Sequence, residues 1–183
     1  MRNTLIKMLY ENYSTGPKFK LSSGRMSNFY MDCKPVTLDP NGMYLVGMII
    51  YNEIKNDKIK GIGGLTFGAD PMAITTSFVS GTHFKPIQAF SIRKNIKDHG
   101  TGKWIEGKVN PGDNVVIVDD VVTTGNSTIE AIKKATIYGL NVVKVVVLFD
   151  RQEGGIENIK KYVSDVISIV NRDDLIKYGE EHV

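Results

Sequence analysis

The sequence predicts an α/β fold with a mainly parallel central sheet flanked by helices, on three observations. Short β-branched runs alternate along the chain with stretches whose apolar residues recur at helical spacing. Two of these runs, Val115-Val116-Ile117-Val118 and the valine-dominated 141–149, are apolar at nearly every position, the pattern of strands covered on both faces. Polar segments at 66–71, 93–99, 119–127 and 150–155 each follow an expected strand, where a parallel sheet gathers its ligands.

Taken in order, residues 2–13 read as a helix with Leu5, Ile6, Leu9 and Tyr13 on one stripe. Gly16-Pro17 and the Ser22-Ser23-Gly24 turn lead into a short aromatic strand containing Phe29 and Tyr30. Pro40 suits the first turn of a helix that runs through Tyr44, Val46, Ile50 and Ile54 to Lys55. Residues 61–65 form a strand, after which Asp70 is the expected cap and Pro71 the first residue of a helix through Ala73, Ile74 and Phe78. Residues 86–92 read as the next strand, and a polar segment runs from Arg93 to Asn110. The 115–118 strand feeds a helix with Ile129, Ile132 and Ala135 on its apolar face; Ser127 and Glu130 have capping-box spacing, and Gly139 suits a left-handed terminus. A strand at 141–149, a helix near 156–162, a strand at 166–170 and a helix begun by Asn171 complete the chain.

At 183 residues the chain fits one domain with a sizeable core, and 42% hydrophobic with 23% charged residues excludes a disordered chain. A net charge of only +3 argues against a general nucleic-acid or membrane-surface binder, so any functional basicity must be local. One cysteine, Cys33, excludes an intrachain disulfide framework and suits a reducing compartment. The first ten residues lack the pattern of a signal peptide and no stretch is long enough to span a bilayer, so the cytoplasm is the expected location.

The chemistry concentrates after Val118. Asp119 and Asp120 stand where the strand emerges, followed by Val121, Val122 and the turn Thr123-Thr124-Gly125-Asn126-Ser127. Backbone N–H groups at such a turn, beside hydroxyls and a helix N-terminus, make a site for a phosphate dianion. A nucleoside triphosphate loop would carry a lysine, and this turn has none. A ribose 5-phosphate satisfies both halves: the turn takes the phosphate, and the two acids accept hydrogen bonds from the sugar hydroxyls or hold a hydrated Mg²⁺. A strand end with two solvated acids is the plainer alternative. Between Arg93 and Lys108 stand five basic and two acidic side chains, an excess equal to that of the whole chain, which suits a growing anion as well as it suits a solvated loop.

The 115–128 stretch resembles the phosphoribosyl-diphosphate signature of type I phosphoribosyltransferases. That resemblance implies 5-phospho-α-D-ribose 1-diphosphate (PRPP) as ligand, with Mg²⁺ held mainly through PRPP and water; purine enzymes, pyrimidine enzymes and some regulators share the signature. Arg93-Lys94-x-x-Lys97-Asp98-His99-Gly100 with Ile105-Glu106-Gly107 resembles the catalytic loop of the orotate phosphoribosyltransferase family. Ser23-Gly24-Arg25-x-Ser27-x-Phe29-Tyr30 is similar to that family's base-binding strand, and Asp150-Arg151-Gln152-Glu153 to the segment whose arginine meets the orotate carboxylate.

The resemblance implies a homodimer in which the 93–106 loop reaches the neighbouring site. Arg93, Lys94, Lys97 and His99 would contact the diphosphate, and Asp119 through Ser127 the rest of PRPP. Thr123, Arg151, Phe29 and Tyr30 would hold orotate, with Lys97, His99, Asp119 and Asp120 as catalytic residues. It also implies a small N-terminal hood of about residues 1–35 on a core of about 36–183. Ser22 and Gly68 stand where many family members have lysines, so charge compensation is expected more from Mg²⁺ and the loop.

Overall fold

The computed structural model describes residues 1–20, 26–95 and 104–182. A six-stranded sheet has the order β5-β4-β3-β6-β7-β8, built from β3 (Gly61–Leu65), β4 (Gln88–Ile92), β5 (Ile105–Gly107), β6 (Asn114–Val122), β7 (Asn141–Asp150) and β8 (Val166–Asn171). All neighbours pair in parallel except β4 with β5. The chain winds from β3 out to β4 and then returns across β3 to β6, so the winding reverses between β3 and β6. At such a reversal the connections leave in opposite directions and open a crevice at the carboxyl ends of the two strands.

The expected two-sided burial of β6 follows from its place near the sheet centre. Val115 and Ile117 pack with Ala131, Ile132 and Ala135 of α5 (Asn126–Tyr138), on one face. Val116 and Val118 pack into the other, with Val46 and Ile50 of α3 (Pro40–Ile54) and Met72 and Ala73 of α4 (Ala69–Thr82). Each such side chain contributes roughly 1.5–3 kcal/mol on leaving water, so burial on both faces anchors the strand that carries the acid pair. Asp39 caps α3 by accepting from the Asn41 and Gly42 N–H groups, with Pro40 next in sequence as expected. Gly139 ends α5 in the left-handed region at φ 98°.

Several expectations are corrected. The first helix, α1 (Arg2–Tyr10), stops before Tyr13, which opens a strand instead: β1 (Tyr13–Lys20) pairs antiparallel with β2 (Met26–Met31). The Tyr13 ring, assigned to the helical stripe from its spacing, packs against Tyr10 and Phe29 at 4.9 and 5.6 Å. Gly68, not Asp70, is the N-cap position of α4; Asp70 lies inside the first turn. The polar segment after β4 contains the short strand β5, and a single-turn helix α2 (Lys34–Thr37) follows β2. At the end of the chain, α6 (Gly155–Lys160) precedes β8. Asn171 and Asp174 cap α7 (Arg172–His182) reciprocally, each accepting from the other's N–H, at 3.0 and 2.9 Å. Among the described residues no helix is long and apolar enough to cross a membrane.

Candidate active site

The crevice between β3 and β6 widens into a cavity of about 570 Å³. The β2 end contributes Tyr30, Met31 and Asp32, and α2 contributes Lys34. The end of β3 supplies Leu65 through Gly68, the stretch after β4 supplies Lys94, and Arg151 comes from the end of β7. Asp119, Asp120, Val121, Thr123 and Ser127 come from β6 and the turn that follows. All four polar segments expected at strand ends therefore contribute to one cavity, joined by the β2 end and α2.

The turn is shaped by Gly125, at φ 82°, a backbone conformation that residues with a Cβ rarely adopt. No side chain caps the N-terminus of α5, so its first N–H groups remain available to an anion. The expected capping box does not form. The Ser127 hydroxyl donates to Asp119 Oδ2 at 2.7 Å, while Glu130 pairs with Lys134 at 2.6 Å. Gly125 takes the cap position, so Ser127 lies inside the first turn, where its oxygen cannot serve as the cap.

The two acids differ in environment. Asp119 is 8% exposed, accepts from Ser127 and Thr128 hydroxyls through Oδ2 at 2.7 and 2.6 Å, and accepts from the Asp120 N–H through Oδ1 at 3.1 Å. Burial, reinforced by the Asp120 charge, pushes its pKa up to about 6 against the hydroxyl hydrogen bonds. Asp120 accepts from the Val121 N–H at 3.0 Å, and burial raises its pKa too, with the Lys34 charge acting in the opposite direction. Gly68 lies so close to Asp120 that an added Cβ would collide with its carboxylate. Asp119 is thus committed to fixing the turn, and Asp120 forms the floor under the β3 loop.

Of the residues expected at the base, Tyr30 lines the cavity and Phe29 does not: its ring stacks on Phe149 at 5.9 Å in the core. Neighbouring positions on a strand face opposite ways, so of the two rings expected beside the base Tyr30 faces the cavity and Phe29 packs inward. Arg151 lines the cavity although 2% exposed; it donates to the Phe29 carbonyl at 2.8 Å and pairs with Glu153 at 2.9 Å. Burial, with Arg172 nearby, lowers its pKa, against the opposing pull of Glu153. Arg93 is bound to Glu106 through Nε and Nη2 at 3.1 and 2.9 Å rather than lining the cavity. Val122 places its side chain in the core, so only its backbone is left to the site, and its carbonyl already accepts from the Arg151 N–H at 3.0 Å. Thr124, Gly125 and Asn126 form the turn itself. The expected catalytic residues Lys97 and His99, and Ser22 through Arg25, lie outside the described residues.

Lys34 and Asp32 are cavity residues that the sequence reading did not single out. Lys34 pairs with Asp32 at 2.6 Å, a bond that raises its pKa; the Asp120 charge acts in the same direction. Burial pushes Asp32 up, but its bonds to Lys34 prevail and leave its pKa below the usual carboxylate value. The available signal was an acid and a lysine two positions apart, directly after the aromatic strand.

An uncapped turn suited to a phosphate, an acid pair beside it and a parallel sheet reversing at the same place are the features expected of a phosphoribosyltransferase site. The phosphoribosyl transferase domain model matches residues 77–181. The orotate phosphoribosyltransferase of Aquifex aeolicus is 44% identical over 172 residues, covering 94% of each chain. A solved orotate phosphoribosyltransferase from Mycobacterium tuberculosis, in complex with Fe(III) dicitrate, superposes with a TM-score of 0.82 at 33% identity, covering 95% of this chain and 98% of that one. A structure from the same organism in complex with PRPP gives 0.77 at 28% identity, with 95% and 90% covered. The chain belongs to the orotate phosphoribosyltransferase family.

Proposed function

We infer that this protein transfers the 5-phosphoribosyl group of PRPP to orotate, giving orotidine 5-monophosphate and diphosphate in pyrimidine synthesis. The observation that carries the reading is one cavity holding the uncapped α5 turn and Asp120 together with the buried guanidinium of Arg151. The turn and the guanidinium suit the two anionic ends of the substrate pair, a 5-phosphate and a carboxylate.

As the ribose–diphosphate bond breaks, its electron pair leaves with diphosphate, positive charge develops on the ribose, and a ring nitrogen of orotate attacks and releases its proton to water. Asp120, at the floor of the cavity, would accept from ribose hydroxyls and stabilise that charge, while Asp119 holds the turn. Tyr30 would lie against the base, and Thr123 would touch it. Lys94 would neutralise the departing diphosphate together with Arg93, Lys97 and His99, and His99 would donate it a proton.

Among the described residues no group of three His, Cys, Asp or Glu side chains is placed to hold a metal ion. Asp32 and Asp120 in the cavity still fit Mg²⁺, which commonly takes one or two carboxylates plus substrate oxygens and water. When bound, the ion supplies positive charge against the diphosphate oxygens. A homodimer would cover the apolar face of α4, where Ile74 and Phe78, one turn apart, are 60% and 72% exposed, and its 93–106 loop would reach the neighbouring site. Residues 1–35 would act as a hood over the base, with the rest of the chain as core. The reduced thiol of buried Cys33 suits the cytoplasm.

The reading is tested by following orotate absorbance after adding PRPP and Mg²⁺: orotate is expected to be consumed. Consumption of adenine or guanine with orotate untouched would instead identify a purine enzyme. Lys34, whose pair with Asp32 is half-exposed and cheap to exchange, would move onto a phosphate oxygen. Lys34→Met is expected to raise the KM for PRPP about tenfold, the worth of one charge-assisted hydrogen bond, and to leave that for orotate unchanged. An unaltered PRPP KM would remove Lys34 from the site.

A further inference from the structure

We propose that Lys134, two turns inside α5, is a positioning residue that holds both stems of the cationic segment at the place set by the phosphate helix. The proposal rests on the phosphoribosyl transfer inferred above.

An ammonium group has three N–H donors, and Lys134 commits two of them to backbone carbonyls of one stem. Nζ donates to the Arg93 carbonyl at 3.0 Å and to the Lys94 carbonyl at 2.7 Å, and it forms an ion pair with Glu130 Oε1 at 2.6 Å. It also lies 4.2 Å from the centre of the Trp104 ring, within cation–π range. Its side chain is only 11% exposed. Arg93 and Lys94 follow β4, and Trp104 precedes β5, so one ammonium touches both stems of the connection. The stems are also tied to each other, since the Arg93 N–H donates to the Trp104 carbonyl at 2.9 Å and Ile92 pairs with Ile105.

The position on α5 matters. The helix begins at Asn126 and carries the phosphate turn at its N-terminus, roughly 12 Å along the axis from Lys134 at about 1.5 Å per residue. Lys94, whose carbonyl Lys134 binds, lines the cavity with Asp119, Asp120, Thr123 and Ser127. A rigid helix thus carries the group that receives one end of PRPP and the group that fixes the backbone of a cation facing the other. Without Lys134 the stem carbonyls would turn to water, and the Lys94 side chain would sample positions away from the leaving group. Misplacement of this kind costs turnover more than it costs binding of the base.

The test compares Lys134→Met, which keeps the apolar stem and loses the donors, with Lys134→Arg, whose planar fork can reach both carbonyls and stack on indole. Wild-type protein must first consume orotate with PRPP; if it does not, the functional reading fails and not this inference. In active protein, Lys134→Met is expected to lower kcat at least about tenfold with the orotate KM within about threefold, and Lys134→Arg to recover kcat to within about threefold of wild type. Amide hydrogen exchange at residues 92–95 and 104–107 should accelerate in the Met variant while that of β6 stays constant. A Met variant with wild-type kcat and exchange would overturn the proposal. So would equal kcat losses in both variants accompanied by equal falls in Tm, which would make Lys134 a stabilising residue only.

Discussion

Arg151→Met is expected to lower kcat/KM for orotate about a thousandfold while PRPP binding stays within about threefold. The guanidinium is buried, and a buried hydrogen-bonded charge pair that loses one partner forfeits roughly 2–5 kcal/mol, or some thirtyfold to several-thousandfold. In the structure the carboxylate of Glu153 already occupies one nitrogen of Arg151, showing that a carboxylate is accommodated there. Orotate would add to that contact or replace it, because Glu153 is 29% exposed in its side chain and can be hydrated when displaced. Methionine keeps much of the apolar bulk under the Phe29 ring, which lies 5.5 Å from the guanidinium, but removes the donor to the Phe29 carbonyl. The fold should therefore lose only about 1–2 kcal/mol. Steady-state kinetics with orotate, a PRPP titration and a thermal melt separate the two effects. An orotate kcat/KM within threefold of wild type would leave Arg151 as the structural partner of Glu153 alone.

What the sequence made legible was whatever local pattern and burial decide together. The β6 run, the turn and α5 appear where the apolar alternation and the positive-φ glycine require them, and the acid pair stands at the mouth of the crevice. Choices among competing partners were not legible. Ser127 has the spacing to cap a helix, but Gly125 takes the cap position and leaves Ser127 inside the first turn, with its hydroxyl on the buried Asp119 carboxylate. Phe29 and Tyr30 are equivalent in composition, and only the packing of Phe29 on Phe149 decides which ring reaches the cavity. Lys34 reaches the site because β2 belongs to a separate hairpin whose end lies over the main sheet, a tertiary fact that an acid and a lysine two positions apart do not reveal. The same holds for Lys134, an ordinary helix lysine in sequence whose meaning comes from the stems packed against it.

Asp119→Asn is expected to stabilise the ligand-free protein above neutral pH and to slow the reaction about a hundredfold. The folded pKa of Asp119, about 6, lies above its ordinary value of 3.8, so the folded state binds this proton more tightly than the unfolded state does. The stability linked to the group is therefore full below about pH 4 and is lost as pH rises through about 6. At about 1.4 kcal/mol per pKa unit, the ionised carboxylate costs the fold up to roughly 3 kcal/mol at pH 7.5. Asparagine removes that cost. Its carbonyl still accepts from the Asp120 N–H, and its amide donates to the Ser127 and Thr128 hydroxyls, which rotate to accept. Allowing for imperfect replacement, a gain of about 1–2 kcal/mol should raise Tm by roughly 3–6 °C at pH 7.5. The gain should shrink towards zero by pH 5, where the wild-type acid is largely protonated. Turnover should fall because the amide holds the Ser127 and Thr128 hydroxyls less firmly than the carboxylate does, so the turn and the sugar phosphate on it are misplaced against Asp120. Melts across pH 5 to 8, run beside initial-rate kinetics, check both halves. A variant no more stable than wild type at pH 7.5 would mean that the buried carboxylate is already fully compensated, and the stored cost argued here would not exist.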